Sequence, residues 1–229
     1  MTTVVLVRHG LTHLTGPVLA GWTPDLHLDE RGQAQARAVA ERLRAVPFAA
    51  LVSSPLDRCL ETAGAIAEGR TEQVQVDERL GECRYGDWTG RPLKELAKEP
   101  LWKVVQAHPS AAVFPGPEGE ALRDTQARAV AAVREWNARL GPDATWLACS
   151  HGDVIKAVVA DALGLHLDGF QRITVDPCSV TVVRYTDLRP FVARLNDVGA
   201  VDDLLPPKRG RRRRAGSDAA VGGGAGGAA

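Results

Sequence analysis

Short β-branched runs alternate with amphipathic segments of helical period along residues 3–165, and this alternation constrains the fold most. Residues 3–7, TVVLV, read as a buried strand by length and β-branching. The segment LDERGQAQARAVAERLRAV follows, with Asp29 placed as N-cap. Leu28, Ala36, Val39, Ala40 and Leu43 recur near helical spacing, and Pro47 stops the run. FAALVSS (48–54) predicts a second strand, and PLDRCLETAGAIA a helix with Pro55 in its first position. VQV (74–76) is a short third strand. EALRDTQARAVAAVREWNARL reads as a long amphipathic helix ended by GPD, ATWLACS as a fourth strand, and HGDVIKAVVADALGL as the helix behind it. CSVTVVRY and RPFVARLN are two late strands at hairpin spacing. Such an order predicts an α/β fold, a three-layer α/β/α sandwich around a mostly parallel central sheet.

The chain has 229 residues, enough for one domain with a sizeable core. We expect residues 1–205 to form that domain, with 85–117 as an irregular region capping the substrate side. Residues 206–229 are basic and then Gly/Ala-rich. They carry no apolar pattern able to offset ordering entropy, so a disordered tail is expected. The net charge of zero hides an asymmetry, because KRGRRRR (208–214) carries six positive charges. Without the chain from 207 onward, 22 basic residues face 27 acidic ones, a net of −5. The basic run is read as solvated rather than as a nucleic-acid site. Cys59, Cys83, Cys149 and Cys178 form no C-x-x-C pair, and MTTVVLV lacks the features of a signal peptide. Free thiols and a cytoplasmic location follow as expectations. No apolar run approaches the ~18 residues of a membrane span.

Parallel sheets of this kind bind ligands at the carboxyl ends of their strands. Three expected strand ends carry polar groups: Arg8-His9-Gly10, Ser53-Ser54-Pro55 with Arg58 a turn later, and Ser150-His151-Gly152. Two histidines and two arginines can therefore meet at one sheet edge. The guanidinium fork matches phosphate oxygens and stays charged. Together with helix N-termini, two such forks suit a dianion and the charge of a transferring phosphoryl group. A neutral imidazole can attack phosphorus, and a leaving alkoxide needs a proton from a nearby acid. Glu82 in RLGECRYGDWTG is the best candidate for that acid, with Asp87 in reserve and Glu78 close by. A metal site built on His9, His151 and Asp153 is disfavoured, since no H-x-H or H-x-x-x-H spacing exists and paired arginines repel a cation. His13, His27, His108 and His166 have no partner pattern. Trp88 reads as a packing residue.

LVRHG, SSPLDRCLETA, LGECRYGDWTG and SHGDVIKA resemble, in order and spacing, the histidine phosphatase superfamily, phosphoglycerate mutase-like branch (branch 1). The resemblance covers about residues 3–185. It implies a phosphoglycerate mutase-like fold and a catalytic set of His9, Glu82 and His151. His9 would be the nucleophile that becomes phosphohistidine, and Glu82 the proton donor. Arg8, Arg58 and His151 would form the phosphate pocket, with no metal and no cofactor. Many members carry Glu directly after the Arg-His-Gly and Asn five residues beyond that glycine. Here Leu11 and Thr15 stand at those positions, so Thr15 is the phosphate-binding candidate in place of the Asn.

The resemblance implies a phosphoric monoester hydrolase of the histidine acid phosphatase type acting on a small-molecule phosphomonoester. The alternative is a phosphomutase on a small phosphorylated metabolite. Phosphoglycerate mutases of this branch carry a longer insertion with an Arg-Arg pair that grips a carboxylate. Residues 91–117 hold Arg91, Lys94, Lys98 and Lys103 but no such pair, which favours a phosphatase. A third reading is a phospho-ligand binding module without turnover. A homodimer is the commonest assembly on general grounds.

Overall fold

The computed structural model describes residues 1–199 together with Gly222 and Gly224. The expectation of a disordered tail over 206–229 concerns residues outside this description, apart from those two glycines. Six strands form one sheet: β1 (Thr2–Arg8), β2 (Leu51–Ser53), β3 (Val74–Val76), β4 (Thr145–Ser150), β5 (Val180–Tyr185) and β6 (Pro190–Asp197). Their spatial order is β3-β2-β4-β1-β5-β6. The first four are mutually parallel, and β5 and β6 add as an antiparallel hairpin beside β1. The expected mostly parallel sheet is therefore present.

Side-chain alternation along β1 builds both outer layers. Val4 and Leu6 face one way, into a core with Trp146, Ala148, α5 (Leu122–Leu140) and α6 (Gly152–Ala162). Val5 and Val7 face the other way, into a core with Leu147, Cys149, α1 (Glu30–Leu43) and α2 (Asp57–Ala67). Val4, Leu6, Leu51, Val52, Leu147 and Ala148 are almost wholly buried, as strands covered on both faces must be. The irregular region carries α3 (Leu93–Leu96) and α4 (Pro100–Ala107). Its Trp88, Leu96, Trp102, Val105 and Phe114 join the α5/α6 core, so it is a fixed wall rather than a loose flap. Trp88 packs against Trp102 and Phe114, which is the structural role expected of it.

Several boundaries differ from expectation for local reasons. Asp29 caps α1 as expected, its side chain accepting from Gly32 N at 2.8 Å. Pro55 does not open α2. The helix starts two residues later, behind Leu56, whose N–H goes to Ser54 Oγ at 3.3 Å. Strand β2 is shorter than 48–54, although Ala49 N–H still donates to Thr145 O and Ser54 N–H to Cys149 O. The chain at Gly10 does not adopt a left-handed conformation. Glycine is needed there because a Cβ would lie 2.6 Å from the Gly32 carbonyl oxygen. All four cysteines are free and buried. Among the described residues no helix is long and apolar enough to cross a membrane.

Candidate active site

The strand order explains why distant motifs meet. Strand β4 lies between β1 and β2, so three adjacent parallel strands end together, with Arg8 beside Ser150 and Cys149 beside Ser53. The chain leaves β1 toward β2 on one side and leaves β4 toward β5 on the other. Sheets of this type form their binding crevice at such a switch point. A pocket lies there, lined by Arg8, His9, Thr12, Thr15, Arg58, Glu82 and Tyr85 among others.

His9 follows the last residue of β1, and its backbone N–H still pairs with Ser150 O at 3.0 Å. Its Nδ1 lies 2.7 Å from the Gly10 carbonyl, a contact that needs a proton on Nδ1. The Nε2 lone pair then points away from the backbone, toward Arg58 Nε at 3.3 Å. Burial pushes His9 well below the ordinary imidazole value, and the Arg58 and Arg8 cations push the same way, against the Gly10 bond. The ring is therefore neutral at neutral pH, with its Nε2 lone pair accepting a long bond from Arg58 Nε.

Arg58, second in α2, is almost fully buried. One Nη2 group spans Gly21 O at 2.7 Å and His151 Nδ1 at 3.2 Å. Its Nη1 is buried and meets no acceptor among the described residues. A buried guanidinium nitrogen of this kind demands an oxygen, and Arg58 is one of the residues that line the pocket. Arg8 is equally buried and donates from Nη1 to Val175 O at 2.8 Å. The described tail residue Gly222 also reaches this pocket, its N–H donating to Asp153 Oδ2 at 3.1 Å and its carbonyl accepting from Arg8 Nη2 at 3.4 Å.

His151 caps β4 and immediately precedes α6. Its ring lies 5.2 Å from that of His9, centre to centre. Burial, Arg58 and His9 hold it well below the ordinary imidazole value. Because Nδ1 faces the Arg58 donor, Nε2 carries the proton and donates to Ser54 Oγ at 2.7 Å. Ser54 thus fixes the ring. The sequence marks it only as a polar strand end, and its role needs the β2–β4 register.

Glu82 is buried, whereas Asp87 and Glu78 are exposed, so the reserve candidates fall away. Its Oε1 accepts from Cys83 N at 3.0 Å, and its Oε2 lies 3.9 Å from His151 Nδ1. Burial, and then the nearby Asp153 carboxylate, raise Glu82 to about 7, against the pull of Arg58, the Cys83 N–H and Arg8. A carboxyl group in this range holds a proton near neutrality and can release it. Thr15 lines the pocket, but its Oγ1 accepts from Thr12 N at 3.0 Å and pairs with Thr12 Oγ1 at 2.9 Å. Thr12, which the sequence does not single out, shares that position on the pocket wall. Tyr85 is likewise unmarked in the sequence, and Asp153 is marked there only as a disfavoured metal ligand. Tyr85 donates to Asp153 Oδ2 at 2.8 Å, and Lys156 Nζ lies 3.3 Å from Oδ1. Asp153 and Lys156 share the i,i+3 spacing of α6, but Tyr85 joins them only when α6 packs against the loop after β3.

The arrangement combines a neutral imidazole nucleophile, two buried guanidinium groups and a protonatable carboxyl in one pocket. It can bind a phosphoryl group, attack it and protonate what leaves. Comparison with known proteins is consistent with this. The family model of the histidine phosphatase superfamily (branch 1) matches residues 4–198. A probable phosphoglycerate mutase GpmB from Cronobacter sakazakii is 31% identical over 188 residues, covering 81% of this chain and 86% of that protein. Among solved structures, Bacillus stearothermophilus YhfR superposes with a TM-score of 0.77 at 30% identity, covering 86% of this chain and 98% of the other. A mycobacterial glucosyl-3-phosphoglycerate phosphatase solved with VO3 superposes at 0.75 with 29% identity, covering 85% and 98%.

Proposed function

This chain belongs to branch 1 of the histidine phosphatase superfamily, and we propose that within it the protein is a metal-independent phosphatase of small phosphomonoesters. One observation carries the reading most: Arg58, whose buried Nη1 meets no acceptor among the described residues, lines the same pocket as His9 and Arg8. An anionic phosphate would supply the oxygen that Arg58 Nη1 lacks, with Arg8 adding a second positive charge beside it.

In the proposed reaction His9 Nε2 attacks phosphorus in line with the ester oxygen. The P–O ester bond breaks as the N–P bond forms, and Glu82 gives its proton to the departing alkoxide. Arg8 and Arg58 hold the equatorial oxygens while charge shifts among them, and the neutral His151, fixed by Ser54, keeps Arg58 Nη2 in place. Water then attacks the phosphohistidine, its proton passes to the Glu82 carboxylate, and inorganic phosphate leaves. The cycle restores neutral His9 and protonated Glu82, and every proton is accounted for by residues of the pocket.

The superfamily includes both phosphatases and phosphomutases, and the GpmB relative bears a mutase name. Retaining a product for return of the phosphoryl group takes extra cationic contacts. Among the described residues Arg8 and Arg58 are the cations lining the pocket, and both serve the phosphate. Arg91 pairs with Glu99 at 2.9 Å instead of facing inward. Val18, Leu19 and Leu93 supply an apolar part of the wall, which suits an uncharged leaving group. Assay of phosphate release from p-nitrophenyl phosphate in EDTA tests the proposal. We expect turnover that EDTA does not affect and that His9→Ala lowers ~1000-fold or more. Unchanged activity in His9→Ala would sink it. Isomerisation of 3-phosphoglycerate with added bisphosphoglycerate, faster than its hydrolysis, would favour the mutase instead.

A further inference from the structure

We propose that Arg128 is the positioning residue of the Glu82 acid, holding the carbonyls of Arg79, Gly81 and Glu82 with three of its guanidinium N–H groups while the other two are anchored on Glu120. The inference rests on the reading of Glu82 as the proton donor. Arg128 is the seventh residue of α5 and stands outside the pocket. Its Nη1 donates to Arg79 O at 2.6 Å and to Gly81 O at 2.8 Å. Its Nη2 donates to Glu82 O at 2.9 Å and to Glu120 Oε2 at 3.0 Å. Its Nε donates to Glu120 Oε1 at 2.7 Å. Five donors thus meet five acceptors, which is the whole capacity of the group.

The segment these bonds hold has no sheet partner of its own. Its carbonyls depend on side chains, since a buried backbone oxygen left unpaired is costly. Leu80 O completes the set by accepting from Ser150 Oγ at 2.7 Å, one residue before His151. Glu82 O takes a second bond from Trp22 Nε1 at 2.6 Å. Close packing reinforces the fit, because a Cβ on Gly81 would lie 2.5 Å from the Trp22 ring. Glu120 in turn orients the guanidinium and accepts from Arg84 N at 3.1 Å. Arg128 therefore sets where the Glu82 carboxyl stands relative to His9 and His151, and lysine cannot replace it, having three N–H groups and no planar fork.

Displacing a general acid by about 1 Å costs rate only where protonation of the leaving group matters. A p-nitrophenolate departs without a proton, whereas an alkoxide does not. The test compares kcat/KM for p-nitrophenyl phosphate and for glycerol phosphate in wild type, Arg128→Lys, Glu120→Gln and Glu82→Gln. We expect Arg128→Lys to lose about 10- to 100-fold more on the alkyl ester than on the aryl ester, with Glu82→Gln showing the same selective loss in larger degree. If Arg128→Lys yields no folded protein, Glu120→Gln decides by the same selective loss or its absence. Equal losses on both esters in the Arg128 and Glu120 variants, with Glu82→Gln still selective, would overturn the positioning role and leave the acid in place. Absence of selectivity in Glu82→Gln would overturn the acid reading, and this inference with it.

Discussion

His9 and Glu82 are tuned in opposite directions by the same burial, and this gives the residue scale its sharpest expectation. Burial keeps the imidazole neutral and the carboxyl protonated, since each loses its charged form. Activity requires both states together. The rate should therefore hold from well below the ordinary imidazole value up to about 7 and fall above it as Glu82 ionises. A kcat/KM profile from pH 4 to 9 checks this, and a basic limb that survives in Glu82→Gln would count against the assignment. The same shift bears on stability. A carboxyl whose folded value is raised stabilises fully below its unfolded value and loses that contribution as pH rises through about 7. Denaturation of Glu82→Gln should accordingly vary less between pH 5 and 8 than that of wild type. At Arg58, replacement by alanine removes the Nη1 donor and the bond to His9 Nε2. The expected fall in kcat/KM is about 100- to 1000-fold.

At the scale of elements, the loop after β1 is held by contact between two glycines. A Cβ on Gly10 would lie 2.6 Å from Gly32 O, and one on Gly32 would lie 2.0 Å from Leu11 O. The first turn of α1 thus presses directly on the segment that carries His9. Gly10→Ala should cost about 1–3 kcal/mol and lower the melting temperature by about 3–10 °C, measured by calorimetry. A melting point unchanged by Gly10→Ala would show that the contact is slack. This feature was only half legible in the sequence. Arg-His-Gly at a strand end announces a tight turn, but turn chemistry alone suggests a left-handed glycine, and the need here comes from a helix twenty residues on. The strands and helices themselves were legible because apolar period and caps are local signals, as Asp29 and the 3.6-residue spacing of α1 show. The start of α2 was not, because Pro55 is held outside the helix by Ser54, whose hydroxyl also serves His151. His9, Arg8, Arg58 and His151 could be read from strand ends. The pairing of Tyr85 with Asp153 and the hold of Arg128 on Arg79 could not, since each depends on packing between segments far apart in the chain, and Thr12, bonded to Thr15, carries no pattern that marks it.

For the whole molecule, both apolar cores draw on residues between Val4 and Val192, with α1 and α2 on one sheet face and α5 and α6 on the other. Residues 1–205 should therefore fold alone. We expect that truncated chain to melt cooperatively within ~2 °C of the full chain, and a loss of several degrees would place part of the core in the tail. The sheet also accounts for the economy of the site. Three adjacent strand ends, one irregular loop and one helix terminus bring together the nucleophile, two cations and the acid. The central claim is that phosphoryl transfer passes through His9. Rapid quenching of enzyme with a labelled phosphomonoester, followed by mass mapping of the acid-labile phosphoryl group, tests it most directly. The account predicts one phosphoryl group per chain, on His9 alone, formed during turnover and absent from His9→Ala. A turning-over enzyme with no phosphohistidine, or with the label on another residue, would contradict it.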